Sequence, residues 1–96
     1  MTSTRQPQET VATVIAGFIV WLARRGLEPD YRHRCPATAQ RFLSWRERRR
    51  DQNLPATVDA YCFELAAEEV AAGQLAEIRS IVGELADYVR STGREL

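Results

Sequence analysis

Lysine does not occur in this chain: all 13 basic residues among its 96 are arginine. A GC-rich genome, whose codons favour Arg and Ala, is one origin of that bias. Whatever the origin, arginine keeps its charge at any physiological pH and grips phosphate with a planar fork. Histidine occurs once, at His33, and cysteine twice, at Cys35 and Cys62, with no C-x-x-C pair. No Ser/His/Asp arrangement results, and a zinc site from His33, Cys35 and Cys62 would lack a fourth ligand. The two cysteines read as reduced core residues of a cytoplasmic protein. There is no Gly-rich phosphate loop and no pair of metal-binding carboxylates. Glu68 and Glu69 are adjacent, so on a helix their side chains diverge and make no acid/base couple. Nothing beside Tyr31, Tyr61 or Tyr88 would lower a phenol pKa. No enzymatic activity, cofactor or metal is expected of these residues by themselves.

Long apolar runs are missing as well. The longest candidate, VATVIAGFIVWLA over residues 11–23, falls short of the about 20 residues that cross a hydrocarbon core. It also lacks the basic flank and A-x-A site of a signal peptide. It reads as a buried helix, and no membrane partner is expected.

What is present is enough apolar residue, 45% of the chain, for one small domain with a single core. The formal charge is zero, yet residues 1–50 hold ten arginines against four acids and residues 51–96 three against nine. That is +6 followed by −6, an asymmetry that suits a domain with one polyanion-binding side.

Periodicity predicts an all-α, compact four-helix bundle with helices at about 8–25, 36–50, 54–72 and 74–91, after a polar lead at 1–7 and before a tail at 94–96. Val11, Val14, Ile15, Phe18 and Leu22 form the apolar face of the first, which Gly26 ends. Gly17 inside it and Gly83 inside the last helix are candidates for a close helix–helix approach. Pro36 suggests either a turn at 30–34 followed by a helix from Pro36, or one helix that runs on and bends there. Asn53 is placed to cap the third helix, with Pro55 in its first turn, and Gly73 to end it. Val58, Tyr61, Cys62 and Leu65 face the core from the third helix. Leu75, Ile78, Val82, Leu85, Tyr88 and Val89 face it from the fourth, which Gly93 closes.

One stretch has a more specific rhythm. Phe18-Ile19-Val20-Trp21-Leu22 runs into Arg25-Gly26-Leu27-Glu28-Pro29; Cys35 follows six residues after that proline, Ala39 ten, and Phe42-Leu43-Ser44-Trp45 thirteen to sixteen. This pattern resembles the core-binding (SAM-like, N-terminal) domain of tyrosine recombinases and phage integrases. In that family F-[IL]-x-W/Y-L leads into R/K-G-L-S-P and a second helix carries F-L-x-[WYF]. Glu28, Cys35 and Pro36 depart from the usual cap, tyrosine and uninterrupted helix, and Ser80 stands where the family has a basic residue, with Arg79 beside it.

The resemblance implies a DNA-binding domain of a DNA integration or recombination protein, whose helices approach the major groove. Catalysis in that family belongs to a separate domain built around Arg, Lys, His-x-x-Arg and a nucleophilic tyrosine. A chain without lysine and with one histidine cannot supply that machinery. Double-stranded DNA is the implied partner, alongside a catalytic domain or recombinase partner, and a homo-oligomer is open. Arg34, Arg41 and Arg48 repeat every seven residues on the second helix. With Arg32 they are the expected phosphate contacts; Thr38 and Gln40 are expected at the groove and Arg79 from the last helix. Four phosphate contacts give a slope of about −0.9 per contact in log K against log[salt]. The reading requires these guanidinium groups to stay clear of the acids of the later helices. The alternative is a small protein-interaction module, or a self-associating adaptor, that uses the acidic helices or the exposed parts of Trp21 and Trp45.

Overall fold

Thr10 opens the first helix, α1 (Val11–Ala23), by accepting the Thr13 N–H on its Oγ1 at 3.2 Å. This satisfies one of the donors a helix start leaves unpaired. The helix stops two residues before Arg25 because the Arg24 and Arg25 N–H groups turn back to the carbonyls of Trp21 and Leu22. Gly26 then takes φ +70, a left-handed conformation that glycine adopts without a Cβ clash. The structure, a computed structural model, describes residues 10–49 and 53–93, without the side chain of Arg48. The lead at 1–7, the residue Gln8 and the tail at 94–96 lie outside the described residues.

The second helix, α2 (Pro29–Arg46), begins seven residues before Pro36, which lies inside it. Of the two arrangements Pro36 allows, the continuous helix is the one adopted. Pro29 at the first position supplies a preset φ. Pro36 leaves the Arg32 carbonyl without its usual donor, but Cys35, Ala39 and Phe42 are fully buried on either side of it. Their burial holds the helix together through the break. A 3-10 turn over Glu47–Arg49 follows.

The third helix, α3 (Leu54–Ala67), is capped as expected: Asn53 Oδ1 accepts the Ala56 N–H at 2.8 Å. Its end differs from expectation. Gly73 does not terminate it; Glu69 does, at φ +63. The Glu69 N–H bonds to the Ala66 carbonyl and the Val70 N–H to that of Leu65, the paired closure of a Schellman motif, where glycine is usual. Gly73 instead lies in the first turn of the fourth helix, α4 (Ala72–Thr92), which Gly93 closes at φ +67.

The described residues thus form two helical hairpins, α1–α2 and α3–α4. They are joined through contacts of α2 with α4, α1 with α4 and α2 with α3. Val14, Phe18 and Leu22 meet Cys35, Ala39, Phe42 and Leu43, and Ile81, Val82, Leu85, Tyr88 and Val89 close over them with Tyr61. Val58, Leu65 and Ile78 are half-buried at the edge, and Thr57 takes a fully buried place on α3. Gly83 is not a point of close approach: a Cβ built there would meet nothing within 4 Å. None of the described helices is long and apolar enough to cross a membrane.

Candidate nucleic-acid interface

The arginines expected to share one face divide among several roles. Arg34 and Arg41, seven residues apart, lie along one exposed edge of α2. Arg32 lies nine residues before Arg41, two and a half helical turns, and so on the opposite flank. There it lines a groove of about 350 Å³ with Ile19, Leu22, Ala23, Pro29, His33 and Pro36. Thr38 is half-buried, Gln40 is exposed off the arginine edge, and the Arg48 side chain lies outside the described residues.

Acids of the second hairpin reach that edge. Arg34 grips Glu77 of α4 with both arms of its fork, Nε to Oε2 at 2.9 Å and Nη2 to Oε1 at 2.8 Å. This hydrogen bonding pushes the Arg34 pKa up and holds the Glu77 carboxyl below its ordinary value. Arg79 lies 3.9 Å from Asp59 of α3, a loose surface pair. Arg32 and Arg41 make no ion pair with another described residue. Arg41 sits close enough to the buried Tyr61 of α3 to offset part of the burial that raises its phenol pKa.

Other arginines serve the fold outright. Arg25 lies over the Trp21 ring at 4.8 Å and pairs with Glu84 of α4 at 3.3 Å. Arg49 repeats the arrangement over Trp45 at 4.1 Å and pairs with Glu64 of α3 at 3.5 Å, while Trp45 Nε1 donates to the same carboxylate at 3.1 Å. Each cation thus sits on an aromatic face one turn back and bridges to another helix. Both indoles are covered by their own arginine and by tyrosine, Tyr88 or Tyr61. Arg46 is buried, with Nε donating to Thr57 Oγ1 at 3.2 Å. The helix dipole favours the cations of the run 46–50 at a helix end, but the fold also buries Arg46 and holds Arg49 against Trp45 and Glu64.

Two further features were not singled out by periodicity. Tyr31 and Ser80 join α2 to α4 through a 2.8 Å hydroxyl–hydroxyl hydrogen bond, so Ser80, at the position where the resembled family has a basic residue, is engaged within the domain. Phe63 is 78% exposed. Its position was legible as the aromatic residue that falls out of step with Tyr61, Cys62 and Leu65. Among the described residues no three His, Cys, Asp or Glu side chains converge as metal ligands. Cys35 and Cys62 are both buried free thiols; burial pushes Cys35 up to about 11 and Cys62 in the same direction. No family model, curated protein or solved structure matches this chain.

Proposed function

We propose that this chain is a DNA-binding domain of the kind it resembles, the core-binding domain of tyrosine recombinases, meeting a duplex along the α2 edge of Arg34 and Arg41. The observation that carries this reading is Arg41: an exposed guanidinium on the central helix with no acidic partner among the described residues. Arg34 is its neighbour one heptad away and keeps half of its side chain exposed despite Glu77. Phosphate must therefore compete with Glu77 for Arg34, and Arg32 cannot reach the same duplex face. Two contacts in place of four give a salt slope of about −1.8 and weak binding. Specific reading of bases by Gln40 or Thr38 is not required for such binding.

Fluorescence anisotropy of a labelled duplex in low salt tests it. Arg41→Glu is expected to abolish the binding without lowering the melting temperature, because Arg41 is exposed and unpaired. Glu77→Gln, which releases the Arg34 fork, is expected to tighten it. A parent protein that binds no duplex at low salt would refute the proposal.

A second reading, a protein-interaction module, is favoured by the exposed Phe63, Ile19 and Val20. It is also favoured by the cancellation of the two charge halves across the hairpins. Pull-down by a duplex-free partner and indifference to Arg41→Glu would separate it from the first.

A further inference from the structure

The groove between α1 and α2 and the exposed ring on α3 are complementary. We infer that this domain associates head to tail with a second copy of itself, Phe63 of one copy seating in the Ile19–Pro36 groove of the next. The groove has apolar walls in Ile19, Leu22, Ala23, Pro29 and Pro36, with Arg32 and His33 on its rim. Its volume of about 350 Å³ is near the lower end for small-molecule pockets and leaves room for an aromatic side chain. Phe63 stands out 78% exposed from a floor of small residues. One turn to either side of it lie Asp59, Ala60, Ala66 and Ala67.

The charges match as the shapes do. Asp59 is the acid on the Phe63 face, highly exposed and held only by a 3.9 Å contact with Arg79. Arg32 is the cation at the groove, with no ion pair to a described residue. Docking the ring puts an unpaired cation against a weakly held carboxylate, which selects a copy of this chain over an uncharged apolar partner. Because ring and groove are different surfaces, the contact is heterologous, and each copy keeps one unused half for the next. A single knob buries far less than a standard interface of about 1,600 Å², so association belongs to protein concentrations of about 0.1–1 mM.

This inference goes beyond duplex binding and is tested without DNA. In sedimentation equilibrium over that concentration range the parent chain is expected to show an average mass that climbs past the dimer. Phe63→Ala and, separately, Ala23→Glu are expected to remain monomeric. Both positions are exposed, and circular dichroism checks that each variant is folded; Ile19→Glu serves if Ala23→Glu is not. The deciding measurement mixes the two. Phe63→Ala keeps its groove and Ala23→Glu keeps its ring, so the equimolar mixture is expected to form a heterodimer and stop there. A parent chain that stays monomeric, a Phe63→Ala variant that associates like the parent, or a mixture that stays monomeric would each overturn the inference.

Discussion

The two helical hairpins solve the same problem with different residues. The α1–α2 hairpin turns on Gly26 at φ +70, whereas the α3–α4 hairpin turns on Glu69 at φ +63. The first is basic and the second acidic, and each tryptophan–arginine stack in the first is tied to a carboxylate in the second. Neither half is a finished unit. The first supplies an excess of cations and Phe18, Phe42 and Cys35; the second supplies the acids and Ile81, Val82 and Leu85 that close over them. A charge asymmetry that looks, along the chain, like a binding surface is in part an internal seam, where Arg25, Arg34 and Arg49 meet Glu84, Glu77 and Glu64.

If the hairpins are interdependent, the largest effect comes from the residue they share. Phe42 is fully buried and touches the rings of Trp45 and Tyr61. Phe42→Ala is expected to cost about 3–5 kcal/mol. Circular dichroism and tryptophan fluorescence should then report a single earlier melting transition; separate transitions would show hairpins that fold alone.

The two turns give the next largest effects. Gly26→Ala places a Cβ in the left-handed region and should destabilise by about 1–2 kcal/mol, while Glu69→Gly should stabilise by about 1 kcal/mol. Denaturant melts of the two variants, read at constant m-value, check the opposite signs.

Gly83 gives a smaller effect confined to the second hairpin. With open space at its Cβ position, Gly83→Ala should raise stability by about 0.5–1 kcal/mol. A loss of stability would mean that the helix needs glycine there for packing.

The seam itself responds to pH at both ends. Cys35, in the first hairpin, is pushed by burial from its ordinary 9.0 to about 11. The unfolded chain gives up that proton first. The contribution is therefore whole below pH 9 and is lost as pH rises from 9 toward 11. Glu77, in the second, is held below its ordinary 4.5 by Arg34, so its contribution is present above that value and fades as pH falls below it. Melting temperatures across the two windows check both directions. Arg34→Gln should remove the acid-side slope and the double swap Arg34→Glu/Glu77→Arg restore ion pairing.

Much of the fold was legible along the chain because it depends on local chemistry. The spacing of Val14, Phe18 and Leu22 marked the buried stripe of α1, and Asn53 before Pro55 marked the start of α3. Gly93 marked the end of α4. Pro36 was ambiguous, since a proline inside a helix is tolerated only when packing on both sides outweighs the missing hydrogen bond. Gly73 misled because glycine is the usual left-handed residue, and nothing in the local sequence says that Glu69 will take that conformation. The candidate site was less legible than the fold. The seven-residue repeat placed Arg34 and Arg41 on one edge, but Arg32 was grouped with them despite being half a turn out of phase. The pairing of Arg34 with Glu77 spans 43 residues of chain, beyond the reach of any helical periodicity.

Composition and periodicity by themselves determined that this chain forms apolar-striped helices with arginine as their cation. Those properties follow from residue spacing and side-chain chemistry within a few turns. It took the folded arrangement to fix which arginines are engaged by indole rings and carboxylates, and that Arg41 has no acidic partner among the described residues. Those outcomes depend on how two distant hairpins meet, because a guanidinium becomes available or engaged according to what another helix brings within about 4 Å of it.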